Sequence, residues 1–103
     1  MENQKDLIKL ARSLQGTPFQ KAVWEELAKI PRGETRTYAQ IAQAVGSHPR
    51  PVANACGKNP AAPTIPCHRV TGSNGTLGGY SGSGGLATKK RLLKEEGVIL
   101  EKE

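Results

Sequence analysis

Apolar residues in the first half of the chain recur at intervals of three and four, the spacing that lines one face of an α-helix. Over residues 6–14, Leu7, Leu10, Ala11 and Leu14 share a face while Lys9 and Arg12 point away, which predicts a short amphipathic helix. The next helix announces its own start. Thr17-Pro18-Phe19-Gln20 supplies a threonine N-cap, a proline where a missing N–H leaves no helical bond unmade, and a glutamine able to close a capping box. Its core face reads Phe19, Val23, Leu27 and Ile30 with Trp24 at the edge, and Pro31-Arg32-Gly33 ends it.

The capping signature returns at Thr37-Tyr38-Ala39-Gln40, starting a helix of about two turns that buries Ile41, Ala42 and Val45 and stops at Gly46. Ser47-His48-Pro49-Arg50-Pro51 reads as the first turn of another helix, because both prolines fall where backbone N–H groups have no intrahelical acceptor. It runs to about Lys58 and is closed by Asn59-Pro60. A strand is expected around Pro66-Cys67-His68-Arg69-Val70. A glycine-rich structured loop over residues 72–85 follows, with a hairpin-turn signal at Asn74-Gly75. The last helix, about 86–96, buries Leu86, Leu92 and Leu93 and ends at Gly97. The pattern is mainly α with a few short strands, in one domain.

Charge changes the picture. The 103 residues hold 15 Lys and Arg against 9 Asp and Glu, a net charge of +6, so the surface field favours phosphate backbones or other polyanions. Two short helices joined by a brief glycine-containing turn then become a helix-turn-helix candidate, its second helix spanning residues 50–58. Ala53, Ala55 and Gly57 are small, Asn54 is polar, and Arg50 and Lys58 bracket them, so this helix can approach a nucleic acid closely. A small-residue helix packed in a core has the same composition.

The reactive candidate is Cys67. Thiolate is the nucleophilic form of cysteine and an ordinary thiol, pKa ~8.5, is mostly protonated at neutral pH, so a base or positive charge must sit nearby. His68, Arg69 and Lys58 are candidates to supply one; a small buried residue is the competing reading of Cys67. Cys56, Cys67, His48 and His68 form no C-x-x-C or H-x-x-x-H unit, which argues against zinc, and no cofactor motif is present. Two cysteines and no apolar leader point to a reducing, cytoplasmic interior, and no apolar run has membrane-spanning length.

Taken together, Thr37-Tyr38, Arg50-Pro51-Val52-Ala53-Asn54, Asn59-Pro60, Ile65-Pro66-Cys67-His68-Arg69-Val70, Gly79-Tyr80-Ser81-Gly82 and Leu86-Ala87-Thr88-Lys89 resemble the active domain of the O6-alkylguanine-DNA alkyltransferases. The resemblance covers roughly residues 16–97, in the family's order and near its spacing, leaving 1–15 as a short helical extension before a 16–103 DNA-binding and active-site domain. It implies a winged helix-turn-helix-like three-helical fold. It implies that Cys67 attacks an alkyl carbon on O6 of guanine and keeps the group, with His68 as base through a water and Glu96 holding the imidazole in the needed tautomer. Tyr38 would donate to the departing base, Tyr80 would wall the alkyl pocket, and the backbone at Val70 and Ser81 would bind the base, with Lys89 near the pocket.

Because Cys67 cannot reach a base inside a duplex, the nucleotide must be flipped out, and Arg50 matches the arginine that fills the vacated stack. Asn54 lies on the helix that would enter the minor groove, and Asn59 matches the asparagine that ties this helix to the active-site turn. The implied partner is double-stranded DNA bearing O6-alkylguanine, met by a monomer associated with the nucleoid in a prokaryote. Short alkyltransferase-like relatives instead sense the lesion and recruit excision-repair proteins; they usually carry tryptophan where this chain has Cys67, which argues for transfer. A helix-turn-helix transcription factor is a third reading, but the alanine-rich helix offers few base-reading side chains.

Overall fold

In a computed structural model of the chain, the residues described are 4–61, 64–72 and 85–98. The elements run α1 (Gln4–Ser13), α2 (Pro18–Ala28), β1 (Arg36–Thr37), α3 (Tyr38–Val45), α4 (Pro49–Gly57), a single 3-10 turn (Cys67–Arg69), β2 (Val70–Thr71) and α5 (Gly85–Glu95). Both capping boxes form. Thr17 accepts the Gln20 N–H while the Gln20 side chain accepts the Thr17 N–H, and Thr37 and Gln40 repeat the exchange. Gly46 ends α3 with a positive φ of 71°, the left-handed geometry that glycine adopts without a Cβ clash.

Helix α2 is the hub. Val23, Trp24, Leu27 and Ala28 are buried on it, and α1, α3 and α4 all pack against it. Trp24 is 1% exposed and sits at the centre of the core rather than at the edge that its position on the α2 face suggested. The reason lies 31 residues away: its indole Nε1–H donates to the Ala55 carbonyl at 2.9 Å, so a ring with a polar edge can be enclosed fully. Phe19, expected on the core face, is only partly buried. Ala11 of α1 closes the far side of α2 at 0% exposure, with Leu7, Ile8, Leu10 and Leu14 packed around it.

The two strands are each two residues long and pair in parallel, Arg36 with Val70 and Thr37 with Thr71. This clip joins the segment leading into α3 to the segment leaving Cys67. The cysteine itself is not on a strand. Pro66, at φ −82° and ψ 69°, centres an inverse γ-turn closed by Cys67 N–H to the Ile65 carbonyl at 2.8 Å, and the chain then continues as the 3-10 turn. Proline's fixed φ suits the first turn, and the strand begins only at Val70, the β-branched residue. Among the described residues, no helix is long and apolar enough to cross a membrane.

Candidate nucleophile and DNA-facing helix

Cys67 is held by its neighbours before any partner is considered. The Ile65 carbonyl that caps its N–H also accepts Nδ2–H of Asn59 at 2.8 Å, while Asn59 Oδ1 accepts the Ala61 N–H at 2.9 Å. Asn59 follows the last turn of α4 directly, so one amide side chain couples that helix to the turn carrying the cysteine. Cys67 is 5% exposed, and His68 beside it 2%.

His68 Nε2 lies 2.9 Å from Glu96 Oε2. A carboxylate can only accept, so the proton of neutral imidazole sits on Nε2 and Nδ1 is left as an acceptor. Nδ1 is buried and has no hydrogen-bond partner among the described residues. Burial pushes the imidazole below its ordinary pKa, against an upward pull from Glu96 and with Arg69 and Lys89 adding to the depression, so the ring is neutral at pH 7. A buried, neutral imidazole with an open lone pair has the form of a general base.

Glu96 reaches this position because α5 ends just before it. The Gly97 N–H bonds the Lys94 carbonyl at 3.0 Å and the Val98 N–H bonds the Leu93 carbonyl at 2.9 Å, a Schellman closure with Gly97 at φ 81°. Arg69 then clamps the carboxylate: its Nε donates to Oε1 at 2.9 Å and its Nη2 to Oε2 at 2.8 Å, while Nη1 donates to the Ile30 carbonyl at 2.8 Å. Burial alone would raise the Glu96 pKa, but the hydrogen bonds from Arg69 and His68 outweigh it and hold it at about 2. Arg69 was a candidate charge for the thiol. Its guanidinium is instead committed to Glu96 and to the end of α2. Lys58, the other cationic candidate, is exposed.

Around Cys67 lie three further titratable groups that influence one another electrostatically. Tyr38 is pushed up to about 12 by burial and by Cys56 and Cys67, so its hydroxyl keeps its proton and remains a donor. Cys56 is pushed up to about 12 by burial and Cys67, partly offset by Lys89, and stays a thiol. Lys89 is fully buried, its ammonium 5.8 Å from the centre of the Tyr38 ring, and burial lowers it to about 8 against the upward pull of Cys67 and Cys56. Sequence periodicity marked Leu86, Leu92 and Leu93 for the core of α5; full enclosure of Lys89 beside Leu93 was not visible in that pattern.

Helix α4 presents the second half of the site. Val52, Ala55 and Cys56 face the core, whereas Arg50, Ala53, Asn54, Gly57 and Lys58 are exposed. Positions 50, 53, 54 and 57 follow the i, i+3, i+4, i+7 rule and form one outward stripe, with Arg50 at its start and the small Ala53 and Gly57 beyond it, and Lys58 just past its end. Among the described residues, no group of three or more His, Cys, Asp or Glu gathers as a metal site would require.

Residues 18–98 match the family model described as the DNA-binding domain of 6-O-methylguanine DNA methyltransferase. The chain belongs to this family. A methylated-DNA–protein-cysteine methyltransferase of Candida albicans is 52% identical over 83 residues, which are 81% of this chain and 46% of that protein. A probable one of Acanthamoeba polyphaga mimivirus is 54% identical over 85 residues, 81% of this chain and 55% of its own. The chain spans about half the length of these curated methyltransferases. Among solved structures, Mycobacterium tuberculosis OGT in complex with DNA superposes with a TM-score of 0.77 at 47% identity, over 82% of this chain and 52% of that one. Schizosaccharomyces pombe Atl1, in complex with damaged DNA containing O6-carboxymethylguanine, gives 0.71 at 33% identity, over 84% of this chain and 82% of its own.

Of the residues that the methyltransferase motifs single out, Cys67, His68 and Glu96 share one buried site, with Tyr38, Lys89 and Val70 packed around it; Asn59 braces it and Arg50 and Asn54 lie on the outer stripe of α4. Tyr80 and Ser81, and with them the glycine-rich loop, lie outside the described residues. Arg69 and Cys56 are the residues that the reading of the site undervalued. For Arg69 the signal was present in the motif itself, a guanidinium adjoining a histidine in a chain with a carboxylate at the end of its last helix.

Proposed function

We propose that this chain repairs DNA by taking an alkyl group from O6 of guanine onto Cys67, once per molecule. In this reading Arg50 enters the base stack as the damaged nucleotide turns out of the duplex, and the small stripe of α4 lies in the minor groove. His68 Nδ1 accepts the thiol proton through a water. The sulfur then displaces O6 from the alkyl carbon: a carbon–sulfur bond forms, the carbon–oxygen bond breaks, and the electron pair stays with guanine. Tyr38, a hydroxyl held protonated, donates to the base as that charge develops. Lys89 adds a positive charge near the sulfur.

The observation that carries this reading is Cys67 itself, fixed in a γ-turn beside a neutral histidine whose Nδ1 has no hydrogen-bond partner among the described residues. The relatives named methylated-DNA–protein-cysteine methyltransferase support it. The likeness to Atl1, most of whose length the chain covers, supports a second reading: a lesion-binding protein that leaves the alkyl group in place. Intact mass after incubation with a duplex holding one O6-methylguanine separates them. A gain of one CH2 on Cys67, missing in Cys67→Ser, is the expected result; lesion-selective binding at unchanged mass would replace transfer with sensing.

A further inference from the structure

Glu96 is shared. One of its oxygens takes both the His68 Nε2–H and an Arg69 Nη2–H, and the other takes Arg69 Nε–H. Arg69 is itself fixed from a third direction by the Ile30 carbonyl at the end of α2. Its side chain is 13% exposed and that of Glu96 6%, so water screens this group little. A carboxylate facing an imidazole alone favours the imidazolium, which carries a proton on Nδ1 and cannot act as a base. A guanidinium gripping both oxygens opposes that pull by charge and by hydrogen bonding. Among the described residues, Lys89 on α5 is a further cation acting on the ring in the same direction, and Cys67 adjoins it in the turn; Arg32, from beyond α2, spends its guanidinium on the Glu95 carbonyl at 3.1 Å.

We propose that Arg69 is a positioning residue for proton transfer: by clamping Glu96 it keeps His68 neutral, with the proton on Nε2 and Nδ1 free to accept the thiol proton of Cys67. The inference rests on the transfer reading for its consequence but not for its geometry. In Arg69→Met, Glu96 faces His68 without its counter-charge, and the imidazole titrates at higher pH.

Two readouts test this. In single-turnover transfer from duplex O6-methylguanine, the rising limb of the pH–rate profile should move up by about one unit in Arg69→Met, a loss that approaches roughly tenfold on the acid limb and closes on the alkaline side. In 15N spectra without DNA, assigned with His68→Gln, Nδ1 of His68 should titrate in both proteins, with its midpoint about one unit higher in Arg69→Met than in wild type. Arg69→Lys, which keeps the charge but offers no fork, should fall between, and it carries the test if Arg69→Met does not fold. A uniform rate loss at every pH with an unshifted His68 titration overturns the proposal and leaves Arg69 a structural brace. Failure of the wild type to transfer would remove the repair reading while the spectra still decide the role of Arg69.

Discussion

Asn59→Ala removes two hydrogen bonds, one tying the cysteine turn to the end of α4 and one bracing the chain just after that helix. The first leaves the Ile65 carbonyl with only the Cys67 N–H, and the second leaves the Ala61 N–H without its acceptor. A neutral hydrogen bond nets ~1 kcal/mol, and an orphaned buried group costs ~1–3 kcal/mol. Ile65 is fully buried but keeps one donor, and Ala61 is half-buried, so the two losses together come to about 2–3 kcal/mol. That is a large share of the ~5–15 kcal/mol that stabilises a domain, so the variant folds with a melting midpoint roughly 10–20 °C lower. Because the same bonds aim Cys67, single-turnover transfer at 25 °C should slow by about 10–100-fold in molecules that remain folded. Asn59→Asp keeps an acceptor for Ala61 but sets a carboxylate against the Ile65 carbonyl. It should be worse than alanine at pH 7 and recover as acid protonates it. Urea unfolding beside quenched-flow transfer measures both effects. Stability of Asn59→Ala within ~0.5 kcal/mol of wild type would show that the two bonds contribute nothing net, and the reasoning would fail.

Three further outcomes are expected. Lys89, at about 8 in the folded protein and 10.5 in an ordinary lysine, binds fewer protons folded than unfolded between those values, so its contribution makes stability rise with pH there. Between about pH 8 and 9, below the range where Cys56 works in the opposite sense, wild type should gain about 1 kcal/mol on Lys89→Met in chemical denaturation; a difference that does not change with pH would contradict this. Arg50→Ala should weaken duplex binding and slow repair in duplex while sparing reaction with a free O6-alkylguanine base, and equal loss on both substrates would remove Arg50 from the flipping step. Gly97→Ala meets none of the described residues within 4 Å, so its cost is set by the strain of φ 81°, about 1 kcal/mol or a melting drop of roughly 4–8 °C; an unchanged melt would mean that the helix end relaxes around the new side chain.

Much of this architecture was legible before any coordinates because its signals are local. Threonine and glutamine three residues apart specify a capped helix whatever lies beyond it, and both boxes formed at the residues where they were expected. The α4 surface was legible only in part: Ala55, grouped with Ala53 and Gly57 as a small residue open to nucleic acid, faces the core at 2% exposure because its carbonyl meets Trp24 there. What the sequence concealed is set by distant partners. Trp24 is central because a carbonyl of α4 accepts its N–H, and no window along α2 contains that carbonyl. Cys67 sits in tight turns rather than a strand because Ile65 and Pro66, with Asn59 behind them, bend the chain just before it. Burial of Lys89 answers to Tyr38, Cys56 and Cys67 on three other segments, so a helical wheel of α5 marks it only as a charge.

Trp24 is the chain's one tryptophan, and its indole N–H ends on the carbonyl of Ala55, in the helix whose outer face carries Arg50 and Asn54. The molecule thus holds a single indole, excitable at wavelengths that its two tyrosines do not absorb, out of water and wired to the element proposed to meet DNA. A shift of α4 on binding a duplex, or on alkylation of Cys67, that moves the Ala55 carbonyl changes the hydrogen bond and local field of the excited indole. Emission from an unlabelled sample would then follow docking and consumption of the protein in real time, with no dye on either partner to alter what is being watched.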